Sequence, residues 1–360
     1  MLKSDNLSLK PIFVTDMQAK DWKLTSLEIH NFKSIKNLKI SPGRVNVFVG
    51  KPNAGKSNLL EALTLLGMDF RGEKKIPKSE IRYTDLASLF YDQNYNEIIK
   101  LRTNRIACAI AKASKDTFLL VSSEIQLDLD NISNFVVESP MMRSLKKDSV
   151  ARLFFNSDGT YKANSDILTS NIKRYQFNSS YDTNSVSIDG KNLWSVIQHN
   201  SYLKSFSKDF FKEFSLEVLY DLRKNKMDIM KKNEDSYYLI DFSMTPDTFQ
   251  RMLYYLAVIE GNKNSVILLE EPEAQSYPPY IQMLAEKIVD DKANQYFITT
   301  HSPFIVEKML EHSGKEGDVK FFVTYFEDYQ TKVHELTAKE IDSVISNGID
   351  LFFNIEAFQK

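Results

Sequence analysis

Hydrophobic and polar positions alternate with a period of two over Leu24–Phe32 and again over Lys33–Ile40, the pattern of half-buried strands. Ser41-Pro42-Gly43 then turns the chain. Arg44-Val45-Asn46-Val47-Phe48-Val49 loses the alternation and is β-branched and nearly free of charge, which predicts a strand buried on both faces. Asn58–Leu66 places apolar positions three and four apart among strong helix formers, so a helix follows. Residues 67–82 read as a loop, and 97–103 and 117–127 as further strands. Near the C-terminus the alternation of buried strand and helix resumes. Thr248–Glu260 predicts a helix ended by Gly261-Asn262-Lys263-Asn264, and Ser265–Leu269 a core strand. Residues 278–291 predict a helix and Asn294–Thr300 another buried strand. Val319–Tyr325 and Thr331–Leu336 form a hairpin around Glu327-Asp328-Tyr329. Residues 337–353 end the chain as a helix, with Glu340 and Asp342 in its first turn.

Between the charge-free strand and its helix lies Gly50-Lys51-Pro52-Asn53-Ala54-Gly55-Lys56-Ser57, followed by Asn58, a complete G-x-x-x-x-G-K-S loop in strand–loop–helix context. Backbone N–H groups of such a loop converge on a phosphate at the positive end of the helix dipole. Gly50 and Gly55 allow the tight turn. Lys56 reaches the β- and γ-phosphates, and the Ser57 hydroxyl ligates Mg²⁺. The expected ligands are a nucleoside triphosphate and Mg²⁺. The run Val266–Leu269 ends in Glu270-Glu271-Pro272-Glu273, placing carboxylates at the C-terminal edge of a core strand, where ligands bind in open α/β sheets. Glu270 is assigned to Mg²⁺ through water and Glu271 to the general base that takes a proton from attacking water. Adjacent strand residues point to opposite sides, so neighbouring acids can take separate roles. The next core strand ends in Thr299-Thr300-His301-Ser302-Pro303, and His301 is assigned a hydrogen bond to the γ-phosphate.

Composition narrows the class. The chain has 360 residues, 42% hydrophobic and 26% charged, as a soluble globular protein of one large or two closely joined domains has. A net charge of -2 argues against a strongly basic nucleic-acid carrier. The single cysteine, Cys108, lies in an apolar stretch and reads as structural; there is no disulfide framework. No membrane-length apolar run and no signal-like leader occur, so a cytoplasmic protein is expected.

From about 128 to 235 the texture changes. Residues 139–232 hold 16 Lys and Arg against 10 Asp and Glu. Residues 193–222 read as helical, with Leu193, Val196, Ile197, Leu203, Phe206, Phe210, Phe214 and Leu219 at helical spacing. Lys204, Lys208 and Lys212 form a neighbouring stripe. It is either the solvated side of an amphipathic helix or a basic face for a phosphodiester backbone. Gln93 is either a solvated loop residue or a candidate for the metal-sensing glutamine that many such ATPases carry there.

Together, Phe32-Lys33-Ser34-Ile35, Gly50–Ser57, Glu270-Glu271-Pro272-Glu273 and Thr300-His301-Ser302-Pro303 resemble the ABC-type ATPases of the SMC, RecF and OLD branch. The resemblance covers about 22–120 and 240–330. It implies an α/β fold: an ABC-ATPase head (P-loop NTPase) with a mixed sheet, two lobes and a compact, mainly helical insertion. The expected domains are an extension at 1–21, an N-lobe at 22–127, the insertion at 128–238 and a C-lobe at 239–360. Family members cap the γ-phosphate of a partner head with a glycine-containing signature loop. Here that region is Ser243-Met244-Thr245-Pro246-Asp247-Thr248, without glycine, so Ser243, Thr245 and Thr248 are the candidates for a capping hydroxyl. The sequence after the acids, Glu273-Ala274-Gln275-Ser276-Tyr277-Pro278, also departs from the family's form. No sustained heptads support a long coiled-coil arm, and the residues after 330 are too few for a TOPRIM nuclease domain. The resemblance implies a homodimer or higher homo-oligomer, an effector partner such as a nuclease or toxin, and DNA as a further partner, in anti-phage defence or DNA repair. The alternative is a nucleotide-dependent scaffold or sensor with little hydrolysis.

Overall fold

The computed structural model describes residues 22–68, 75–123, 150–162, 172–175, 187–188, 191–192, 196–197, 199–221, 223–224, 226–313 and 318–359. The expected N-terminal extension, the end of the predicted 117–127 strand, Leu193 and much of the 128–238 insertion lie outside them.

Along the chain, β1 (Leu27–Phe32), β2 (Ile35–Ile40) and β3 (Val45–Val49) lead through the glycine loop into α1 (Lys56–Gly67). β4 (Ile99–Thr103), β5 (Ala107–Lys112), β6 (Thr117–Ser123), β7 (Val150–Asn156) and β8 (Tyr161–Lys162) follow. The short β9 (Ile172–Tyr175), β10 (Ser187–Ile188) and β11 (Lys191–Asn192) precede α2 (Ser201–Lys212). β12 (Glu217–Asp221), β13 (Lys226–Asn233) and β14 (Ser236–Asp241) then lead to α3 (Asp247–Gly261). The remainder alternates β15 (Val266–Glu270), α4 (Pro278–Asp290), β16 (Gln295–Thr299), α5 (Pro303–Ser313) and β17 (Val319–Glu327), closing with β18 (Gln330–Glu335) and α6 (Ala338–Ser346).

The chain divides into two compact units, 1–41 with 61–170 and 42–60 with 171–360. The first is built on an antiparallel sheet in the order β2-β1-β4-β5-β6-β7-β8. β1 alternates as predicted, and Leu27, Ile29 and Phe32 are fully buried. β5 escaped the pattern reading because its first five residues are all buried, which erases the alternation. Cys108 sits within it, its thiol pushed up to about 12 by burial, as suits a structural cysteine.

The second unit is a mixed α/β layer structure. Its sheet runs β18-β17-β3-β16-β15-β9, parallel except for β18. β3 is bordered by β16 and β17, which is why every one of its residues is buried. Phe48 stacks on Phe322 with ring centroids 4.8 Å apart and lies 6.3 Å from Phe297. Arg44, the one charge in the predicted strand run, is buried at the strand's start. It pairs with Asp318 and donates to the carbonyls of Ile288, Val289 and Asp291 at the end of α4, satisfying groups a helix C-terminus leaves unpaired.

Among the described residues of the insertion are one long helix, α2, and several strands. β7 and β8 extend the first sheet, β9 joins the second, and β12-β13-β14 form a sheet of their own. The predicted 193–222 helix is shorter because Ser215 takes a left-handed backbone conformation (φ 57°) and the chain re-emerges as β12. The helical match of Leu219 was accidental. No helix among the described residues is long and apolar enough to cross a membrane.

Candidate nucleotide site

β3 delivers the loop to the C-terminal edge of the parallel sheet. Gly50 is required there by packing alone, because a Cβ would meet the carbonyl oxygen of Thr324 on β17 at 2.2 Å. Asn53 (φ 61°) and Gly55 (φ 94°) make the left-handed turns that reverse the chain into α1. Thr331 on β18 donates to the Ala54 carbonyl at 3.0 Å. Lys51 pairs with Glu356 of the C-terminal turn Ile355–Phe358, which lowers the Glu356 pKa.

The Lys56 side chain is 6% exposed and folds back into the loop, its ammonium donating to Gly50 O at 2.8 Å and Lys51 O at 3.0 Å. Desolvation lowers its pKa from 10.5 to about 8, against the opposing pull of Glu271, Glu273 and Glu270. The field of all three carboxylates therefore converges on the lysine of the loop.

Between about 8 and 10.5 the folded chain holds fewer protons at Lys56 than the unfolded chain. This group therefore makes the nucleotide-free protein more stable as pH rises through that window. Affinity for a triphosphate should move the other way, because the gripping ammonium is lost above about pH 8. Denaturant melts and nucleotide titrations at both ends of the window check this; affinity that holds or rises would contradict the role of Lys56.

Glu270 is the last residue of β15. It forms an ion pair with Arg174, which β9 supplies from the neighbouring edge of the sheet, in register with Leu268. The two side chains are 12% and 5% exposed. Sequence reading missed Arg174: its strand is four residues long and its partner lies 96 positions away. Arg174→Gln should cost about 3 kcal/mol of stability, since it leaves a buried carboxylate without its cation, read by chemical denaturation. A loss below about 0.5 kcal/mol would mean the pair is solvated.

Glu271 separates from Glu270 by a different device from strand alternation. β15 has already ended, and Glu271 takes a left-handed conformation (φ 43°) while its N–H donates to Thr299 O at 2.9 Å. Such a conformation is strained for a non-glycine residue and is held by its surroundings. It leaves the Glu271 carboxylate partly exposed, with Oε1 3.5 Å from Nε2 of His301. Burial, followed by Lys56, lowers the His301 pKa against the pull of Glu271, so its imidazole is neutral at pH 7 and carries one donor and one acceptor nitrogen.

Ser57 and Glu270 are hard oxygen donors of the kind Mg²⁺ takes, and because Glu270 is also paired with Arg174, the fit is to a metal that keeps its waters and meets the acid through one of them. Among the described residues no group of three or more His, Cys, Asp or Glu could hold a metal on its own.

The signature-loop candidates are all engaged within the chain. Ser243 Oγ donates to Asp241 at 2.7 Å, Thr245 Oγ1 to the Phe242 carbonyl at 2.6 Å, and Thr248 Oγ1 to the Gln275 carbonyl at 3.1 Å. On α2, Phe210 and Phe211 pack on Phe249 with centroids 4.5 and 4.6 Å apart. That leaves Lys208 and Lys212 exposed and Lys204 half-buried. Gln93 lies in the first unit, in a short turn with φ 53°.

No family model matches the chain. One stretch of 58 residues, 15% of the chain, is 33% identical to the uncharacterized protein MJECL11 of Methanocaldococcus jannaschii. The match spans 51% of that protein, so the chain covers about half the length of the curated relative it matches. Among solved structures, it is similar to an SMC head bound to the C-winged helix domain of ScpA (TM-score 0.48, 16% identity, 89% of this chain and 99% of that one). It is also similar to an SMC head with an extended coiled coil bound to the C-terminal domain of ScpA, from Pyrococcus furiosus (TM-score 0.46, 12% identity, 90% and 98%). A third is the SMC head domain from Thermotoga maritima (TM-score 0.41, 12% identity, 88% and 100%). The structural neighbours are thus SMC heads at low identity, and the α/β fold with its loop at the end of a central parallel strand rests on this chain's own strand order.

Proposed function

We propose that this chain is an ATP-binding and ATP-hydrolysing ATPase of the ABC/SMC type, in the OLD-like branch. It assembles into homodimers or larger homo-oligomers through its nucleotide sites. Its output is action on DNA or control of a nuclease or toxin partner, in anti-phage defence or DNA repair. The observation that carries the reading is a complete phosphate loop at the end of the central strand β3, with Lys56 buried and its ammonium folded onto Gly50 O and Lys51 O.

In this reading the loop N–H groups and Lys56 bind the triphosphate and stabilise the charge that develops on its γ-phosphoryl group. Ser57 and Glu270, the latter through water, would hold Mg²⁺, which would supply neutralisation of the triphosphate's charge. Glu271, partly exposed and beside His301, accepts a proton from water. His301, neutral, offers an N–H toward the γ-phosphate. The test compares turnover per chain over a range of chain concentrations with the oligomeric state in ATP. Turnover and assembly should rise together, and turnover independent of concentration in a monomer would oppose assembly through the site.

The scaffold reading keeps one observation in its favour. The loop at 243–248 has no glycine, and its three candidate hydroxyls already donate inside the chain. Fast hydrolysis stimulated by DNA would exclude it. Direct DNA contact through Lys204, Lys208 and Lys212 predicts binding that weakens steeply with salt and falls on charge reversal of the stripe; affinity unchanged by reversal assigns the lysines to a solvated face.

A further inference from the structure

Glu273 has no role in the reaction as described, yet it is the most deeply placed of the acids that follow β15. Its carboxyl is buried, and Oε1 accepts two hydrogen bonds from the opposite strand end: from Thr300 Oγ1 at 2.8 Å and from the His301 N–H at 2.7 Å. Thr300 is tied further, its N–H donating to Phe48 O at 3.2 Å at the end of β3 and its Oγ1 accepting from the Ser302 N–H at 2.9 Å. The second carboxyl oxygen, Oε2, is buried without a hydrogen-bond partner among the described residues. A buried carboxyl with one oxygen unsatisfied is costly, so its position calls for a reason.

The connectivity supplies one. The Glu271 N–H bonds back to Thr299, and Glu273 bonds forward to Thr300 and His301. The two contacts staple the turn after β15 to the turn after β16 on either side of the pair that must meet, Glu271 and His301. The paired register of β15 and β16 ends at Glu270 and Thr299, and past the Glu271 and Thr300 N–H bonds it is the Glu273 carboxyl that holds the His301 backbone against the acid turn. We infer that Glu273 is a positioning residue that sets the His301 backbone, and with it the 3.5 Å approach of the imidazole to Glu271. Burial raises the Glu273 pKa against these hydrogen bonds, which fits a group whose acceptor oxygen matters more than its charge.

The inference rests on the proposed roles of Glu271 and His301, and the experiment separates its failure from theirs. Single-turnover ATP hydrolysis and ATP affinity are measured for wild type, Glu273→Ala, Glu273→Gln, His301→Ala and the Glu273→Ala/His301→Ala double variant. Each variant's fold is checked by thermal melting. Glu273→Ala should lower the hydrolysis rate roughly 100-fold, as a displaced catalytic geometry does, with ATP affinity changed less than about threefold. Glu273→Gln keeps the acceptor and should recover the rate to within about threefold of wild type. Thr300→Val, which removes one of the two donors, should give an intermediate loss and serves where Glu273→Ala melts early. The double variant should be no slower than His301→Ala alone, because both remove one interaction. Multiplicative losses, an Ala variant at the wild-type rate, or a loss confined to affinity each overturn the positioning role while His301 keeps its own. A His301→Ala variant at the wild-type rate overturns both.

Discussion

Glu271→Gln is expected to lower ATP hydrolysis by about 100-fold or more while ATP stays bound, the size of effect that removing a general base produces. The amide is isosteric, so the strained turn at Glu271 (φ 43°) and its N–H bond to Thr299 survive the change. What is lost is the ability of Oε1 to take a proton. Of the three carboxylates at the end of β15 and in the turn after it, Glu271 is the exposed one that can do this work. Glu270 is held by Arg174, and Glu273 is buried under Thr300 and His301. The expected signature is therefore a trapped complex, with nucleotide retained through gel filtration and no phosphate released. If nucleotide escapes together with the loss of turnover, Glu271 serves binding and the assignment of the base is wrong. If turnover persists, another group is the base.

Lys56→Ala should weaken ATP binding by about 100-fold, since it removes charge-assisted hydrogen bonds worth about 3 kcal/mol in total. The nucleotide-free protein should lose little stability, or gain some. In the folded chain the ammonium is desolvated and holds its proton less tightly than in water, which is a cost the alanine does not carry. The pairing of weaker binding with an unharmed fold distinguishes a functional lysine from a structural one. Equal ATP affinity for wild type and variant would place the phosphate elsewhere. A matched collapse of stability would make Lys56 a structural prop for the loop carbonyls of Gly50 and Lys51.

How much of this was legible in the sequence depends on how local each feature is. β3, β15 and β16 announced themselves because each lies inside a parallel sheet and is buried on both faces, so each appears as an unbroken apolar run. The glycine loop is local in sequence and was read residue by residue. The hairpin of β17 and β18 was marked by its turn. What stayed hidden depended on long-range pairing. Arg174 reaches Glu270 through a strand with nothing in its own four residues to show which neighbour it will find. Lys33, read as the first residue of an alternating strand, sits in a left-handed turn (φ 50°) between β1 and β2. There its ammonium pairs with Glu61 on α1, whose side chain is fully buried and also bonded by Arg82. The single device separating Glu270 from Glu271 was misjudged because strand alternation was extended one residue past the strand's end. The helical period of the insertion was real for Phe206 and Phe210, which pack on Phe249, and failed beyond Ser215.

Single-turnover hydrolysis decides whether this chain cleaves the nucleotide it binds. Radiolabelled ATP and Mg²⁺ are mixed with an excess of the wild-type chain at several chain concentrations, alone and with duplex DNA, and quenched in acid. Bound ATP should be converted to ADP and phosphate, faster as chain concentration favours assembly, and Glu271→Gln in the same assay should leave the ATP intact. ATP that stays bound and uncleaved on the wild-type chain under all of these conditions would contradict the proposed hydrolysis.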